Sequence, residues 1–127
     1  VVDIDEAAAR DTANLIVESG GRARGYRADT SAAAQIDAAI TSAVADLGPL
    51  EVMFNNAGIL DGYFNVDDMD EEVWRRVLDI DLTGVFLGCK RALVEMLPRG
   101  RGPAFHRGKQ QQKTSAAPDR PARCCRS

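Results

Sequence analysis

A short apolar run, Leu50-Glu51-Val52-Met53-Phe54, stops abruptly at Asn55-Asn56-Ala57-Gly58. A run of that length, ended by two amides, a small residue and a glycine, reads as a buried strand meeting a tight turn. Upstream, Val1-Val2-Asp3-Ile4-Asp5 reads as the end of a strand already in progress, so N-terminal sequence is expected to be missing. Asp5 suits a helix N-cap, with Glu6 in the first turn where the helix dipole favours negative charge. Ala8, Leu15 and Ile16 form a modest helical stripe, which Gly20-Gly21 ends. Ala23 to Ala28 reads as a second strand. Ser31 is positioned to cap an alanine-rich helix with Ile36, Ile40, Val44 and Leu47 on one face, and Gly48-Pro49 stops it. Strand, helix, strand, helix, strand is the alternation of a parallel α/β sheet with right-handed crossovers.

That order brings three strand ends to one edge of the sheet. They carry Asp3, Asp29-Thr30 and Asn55-Asn56-Ala57-Gly58. In open α/β sheets ligands bind beyond the carboxyl ends of strands, and a carboxylate there can accept both hydroxyls of a ribose. Standing alone, Asp3 would be a solvated loop acid, and the Asn-Asn-Ala-Gly turn would merely end a strand. Ala57 and Gly58 let a flat ligand come close to the main chain.

Beyond a loop at 62–69, a long helix is expected from about Asp70 to Leu97, capped by Asp68. Val73, Val77, Ile80 and Gly84 line one side, and Trp74, Leu78, Asp81, Val85 and Cys89 another. So wide an apolar arc implies burial on more than one side, against the sheet and against a second subunit. Asp81 falls inside that arc, where a carboxylate must be hydrogen-bonded, protonated or beside a water-filled cleft.

The 127 residues suffice for one small domain. With 45% hydrophobic and 28% charged residues, the composition is that of a soluble globular protein, and a cytoplasmic location is expected. No run approaches the roughly 18 apolar residues of a membrane span. The cysteines Cys89, Cys124 and Cys125 give no disulfide framework, and with His106 the only histidine no metal site is expected.

Charge divides the chain sharply. Eight basic residues stand against eighteen acids up to Pro98, and eight against Asp119 alone from Arg99 onward, within a net charge of -3. Residues 1–98 are therefore read as the domain and residues 99–127 as an irregular tail, disordered by composition. A nucleic-acid arm is set aside, because the tail has no interleaved aromatics beyond Phe105. A frameshift accounts better for this composition: CAG codons for Gln110-Gln111-Gln112 become serine codons one base over. The coding DNA after Gly102 tests it.

Val-Val-Asp-Ile-Asp, Ala-Asp-Thr, Asn-Asn-Ala-Gly-Ile and Trp-(x)6-Asp-Leu-Thr-Gly-Val-Phe-Leu-Gly-Cys-Lys together resemble the short-chain dehydrogenases/reductases, in order and spacing, over about residues 1–98. The resemblance implies a partial Rossmann-type, doubly wound parallel sheet, holding the second to fourth of the family's seven strands. It implies that Asp3, with Ile4 beside it, binds the adenosine ribose and favours NAD over NADP, whose 2′-phosphate would repel the carboxylate. Asp29 would meet the adenine amino group with Thr30 beside it, and Asn56, Ala57 and Gly58 would pass under the ribose. Asp81 stands where the family has the asparagine of its proton relay, a role its charge puts in doubt.

The family's glycine-rich phosphate turn is absent from this sequence. Tyr26 and Tyr63 are followed four residues on by Thr30 and Asp67, so no Tyr-x-x-x-Lys occurs. The expectation is a fragment of an NAD-dependent dehydrogenase whose parent acts on an alcohol or carbonyl and is a homo-oligomer through the 70–97 helix. This chain by itself is expected to be inactive, and without a first strand to separate its strands it is expected to be partly unfolded or aggregating. The competing reading is a non-enzymatic adenine-nucleotide-binding or protein-interaction module.

Overall fold

The computed structural model describes residues 1–62 and 65–100. The expectations for Tyr63 and for the 101–127 tail lie outside these residues. In order the elements are strand β1 (Val2–Asp3), helix α1 (Glu6–Glu18), strand β2 (Tyr26–Arg27) and helix α2 (Ala33–Leu47). Helix α3 (Glu71–Leu78) then runs through a π-helical turn (Asp79–Gly84) into α4 (Val85–Met96), and a 3-10 turn (Leu97–Arg99) closes the series.

β1 and β2 pair in parallel, Val2 opposite Tyr26 and Asp3 opposite Arg27. The Tyr26 and Ala28 amides donate to the Val1 and Asp3 carbonyls at 2.9 Å. The crossover between them is α1. Asp5 caps it as expected, its Oδ1 accepting from the Ala7 amide at 2.8 Å, and Gly20 ends it at φ 87°. The stripe expected through Ala8, Leu15 and Ile16 faces outward instead, with Leu15 64% exposed. The buried side of α1 is Ala9 and Ala13. A Cβ on Gly25 would lie 2.7 Å from the Ala9 carbonyl carbon. Small residues on both partners thus set how closely helix and strand approach, and this outweighs the larger side chains on the other face.

α2 buries Ile36, Ala39 and Ile40, and leaves Leu47 exposed. Its N-cap is Ala32, with no side-chain hydrogen bond. Ser31, expected as the cap, is engaged by Asp29. α4 packs on α2, and Arg91 ties the pair together by binding Asp37 and, at 3.2 Å, Thr41, while pairing along its own helix with Glu95 at 2.8 Å. Asp70, not Asp68, caps α3, accepting from the Glu72 amide at 2.7 Å.

The expected long helix is thus one continuous helical stretch with a π turn at its middle. Its apolar arc is not covered on both sides: Trp74, Leu82, Phe86 and Val94 are all more than half exposed. The third expected strand forms no ladder. Residues 50–58 carry no regular secondary structure, and no backbone–backbone hydrogen bond joins residues 52–58 to other described residues. A strand exists only through a neighbour, and β1 is paired with β2 along one edge only.

Candidate functional site

Alongside β1, a cavity of about 470 Å³ opens between the strand and the 53–59 segment, lined by Val1, Val2 and Asp3 and continuing past the strand end to Ile4, Asp29 and Thr30. Ile36 and Ile40 from α2, with Val85 and Gly88 from α4, contribute apolar and small groups to its wall. Asp3, Ile4, Asp29, Thr30, Asn56, Ala57 and Gly58 all line it. The seven residues singled out from the sequence are therefore brought to one cavity. Asp81 is not among its lining residues.

Each rim residue is held by local chemistry. β1 ends at Asp3, whose Oδ1 accepts from the Asp5 amide at 2.9 Å and so fixes the turn into α1. After β2, Asp29 Oδ1 accepts from both the Ser31 amide, at 2.9 Å, and the Ser31 hydroxyl, at 2.7 Å. These two bonds hold the Asp29 carboxyl below its ordinary pKa. The Asp29 amide donates to Gln35 Oε1 at 2.9 Å, which ties the rim to the first turn of α2.

Thr30 packs on the π turn. A Cβ on Gly84 would lie 3.0 Å from the Thr30 carbonyl oxygen, so the glycine is what permits the contact. The Asn-Asn-Ala-Gly turn is held from below in the same way. Asn55 Nδ2 donates to Cys89 Sγ at 3.4 Å, and a Cβ on Gly88 would fall 2.2 Å from Asn55 Oδ1.

Asp81 departs from expectation. It is exposed rather than buried in an apolar arc, and no charged or polar residue is buried among the described residues. Its Oδ1 accepts from the Ile59 amide at 2.8 Å, and a Cβ on Gly58 would meet the same carboxylate at 3.4 Å. The π turn therefore offers Asp81 to the end of the Asn-Asn-Ala-Gly segment as a backbone anchor. Ser31, Gly84, Gly88 and Cys89 were not recognised as site supports. For Gly84, Gly88 and Cys89 spacing gives no local signal, because their partners Thr30 and Asn55 lie far away in the chain, whereas Ser31 stands two residues from Asp29 and could have been found as a turn partner.

Comparison with known proteins shows the family and the fold. The family model for short chain dehydrogenase matches residues 1–104. The chain is 40% identical over 108 residues to 2-(S)-hydroxypropyl-CoM dehydrogenase 3 of Xanthobacter autotrophicus, covering 85% of this chain and 42% of that protein. It is 41% identical over 95 residues to 3beta-hydroxysteroid dehydrogenase 1 of Eggerthella lenta, covering 75% and 36%. Its fold is similar to the crystal structure of NAD+-bound xylitol dehydrogenase, with TM-score 0.76 and 29% identity over 80% of this chain and 39% of that one. The chain thus spans about two fifths of the length of the relatives it matches. With the family's fold and its strand-end motifs at one cavity, this chain belongs to the short-chain dehydrogenases/reductases.

Proposed function

We propose that residues 1–100 form the adenosine side of an NAD site in an oxidoreductase that converts an alcohol to a carbonyl or the reverse. One observation carries the reading: Asp3, at the end of β1, Asp29, just past β2, and Asn56-Ala57-Gly58 line a single cavity alongside the paired parallel strands. The donor set suits an adenosine. Asp3 supplies an anionic acceptor for a ribose diol, and its charge disfavours a 2′-phosphate. Asp29, kept ionised by Ser31, accepts from an exocyclic amine. Gly58 and Ala57 leave the main chain open to a flat ring. Similarity to an NAD+-bound dehydrogenase points the same way.

A bound nicotinamide cofactor would supply the hydride chemistry. The chain's own part is to orient its adenosine end, with Asp81 bracing the turn at Ile59 rather than acting as a charged relay group. No Tyr-x-x-x-Lys is present to exchange the substrate proton, so this chain alone is inactive. The parent pairs with a second copy through the exposed apolar side of α3 and α4, where Trp74, Leu82 and Phe86 stand uncovered. Calorimetric titration with NAD, NADP and AMP tests the cofactor reading. NAD and AMP are expected to bind and NADP to bind more weakly; absence of AMP binding overturns it. Turnover of an alcohol with NAD would refute the inactivity.

The second reading is a nucleotide-binding or protein-interaction module without chemistry. AMP binding without NAD preference, or capture of a full-length homologue with no nucleotide affinity, would favour it.

A further inference from the structure

The turn that presents Asp3 has a second fastening, which comes from the neighbouring strand. Arg27 stands opposite Asp3 in the parallel register. Its Nε donates to the carbonyl of Ile4 at 3.2 Å, one residue beyond the end of β1. Ile4 itself lines the cavity. On the other side of the same turn, Asp3 Oδ1 takes the Asp5 amide, and Asp5 in turn caps α1. Past Asp3, the last residue of the ladder, the turn is thus held at Ile4 by Arg27 and at Asp5 by the Asp3 carboxylate.

We infer that Arg27 is a positioning residue for Asp3: it fixes the strand-end turn so that the carboxylate meets a ribose diol. The inference rests on the nucleotide-site reading above. Arginine suits the task because its planar fork can bind a carbonyl through Nε while the rest of the guanidinium stays hydrated. It also brings a positive charge to a turn that carries Asp3, Asp5 and Glu6 within four positions, where acids alone would repel one another. Arg27 is exposed, so its bond adds little to folding stability. Its effect belongs in the precision of ligand contact, where small displacements of an acceptor matter.

The ribose 2′-hydroxyl provides a readout that a merely structural role would not move. Affinities for AMP and for 2′-deoxy-AMP are measured on the whole chain and on Arg27→Ala, Arg27→Lys and Asp3→Asn. One hydrogen bond to a charged acceptor corresponds to about a tenfold preference for AMP in the unaltered chain. Asp3→Asn and Arg27→Ala are expected to reduce that preference to about twofold, and Arg27→Lys, which keeps a donor for the Ile4 carbonyl, to retain most of it. Should Arg27→Ala lose its helical signal, Arg27→Met keeps the aliphatic stem without the donor and carries the same expectation.

Arg27→Ala with the original AMP preference overturns the inference. Equal weakening of both nucleotides also overturns it, since that reports charge alone. An unaltered chain that binds AMP and 2′-deoxy-AMP equally well, or neither, instead overturns the nucleotide-site reading.

Discussion

Ser31 donates twice to Asp29, and the consequence for stability has a definite sign. Because the folded carboxyl titrates below its unfolded value, the bonds contribute stability above the unfolded pKa of about 4. That contribution is lost as the pH falls through the lower, folded value. Ser31→Ala is therefore expected to lower the thermal midpoint at pH 7 and to have little effect near pH 2, in paired melting curves. Asp81 offers a sharper contrast. Asp81→Asn keeps an oxygen for the Ile59 amide, whereas Asp81→Ala leaves that amide without its partner. The alanine variant is expected to lose about 1 kcal/mol in denaturant titration and the asparagine variant much less. Sequence position suggested a buried acid that needs a partner; the hydrogen bond is present and the burial is not, because a helical wheel counts neighbours without knowing which side they cover.

Elements were legible where their signals were local. Asp5 and Gly20 bound α1, Gly48 ends α2 at φ 99°, and the crossover order was read from periodicity. Cap identities at Ala32 and Asp70 were misjudged because a cap-forming side chain stands close to each, Ser31 one residue before Ala32 and Asp68 two before Asp70. The third strand shows a different limit. Its β-rich composition is real, yet residues 52–58 are bonded to no backbone partner among the described residues. Their amides are expected to exchange with solvent within the dead time of a hydrogen-exchange experiment, while those of Ile36 to Val44 in α2 are protected. Comparable protection of both segments would mean that a ladder forms in solution.

At the scale of the molecule, the buried apolar residues among those described are mainly alanines, with Ile36, Ile40 and Met96 the larger contributors. Against this small core stand exposed Val52, Phe54, Trp74, Leu82 and Phe86. Apolar surface of that extent favours association. Sedimentation is expected to show a mean mass that rises with concentration, and Trp74→Lys with Phe86→Lys to reduce it. Sharp, dispersed amide signals at low concentration would contradict the expected partial unfolding. Among the described residues no helix is long and apolar enough to cross a membrane.

The residues by themselves determined the order β1, α1, β2, α2 and the place of Asp3 at a strand end, because periodicity, caps and glycine stops act within a few positions, while the four motifs in order carried the family resemblance. Only the tertiary structure decided which face of α1 is buried, that Asp81 braces Ile59, and that residues 52–58 join no ladder among the described residues. Each of those outcomes depends on a partner distant in the chain: the close approach of Gly25 to Ala9, the reach of a carboxylate across the π turn, and the presence or absence of a neighbouring backbone with which to share hydrogen bonds.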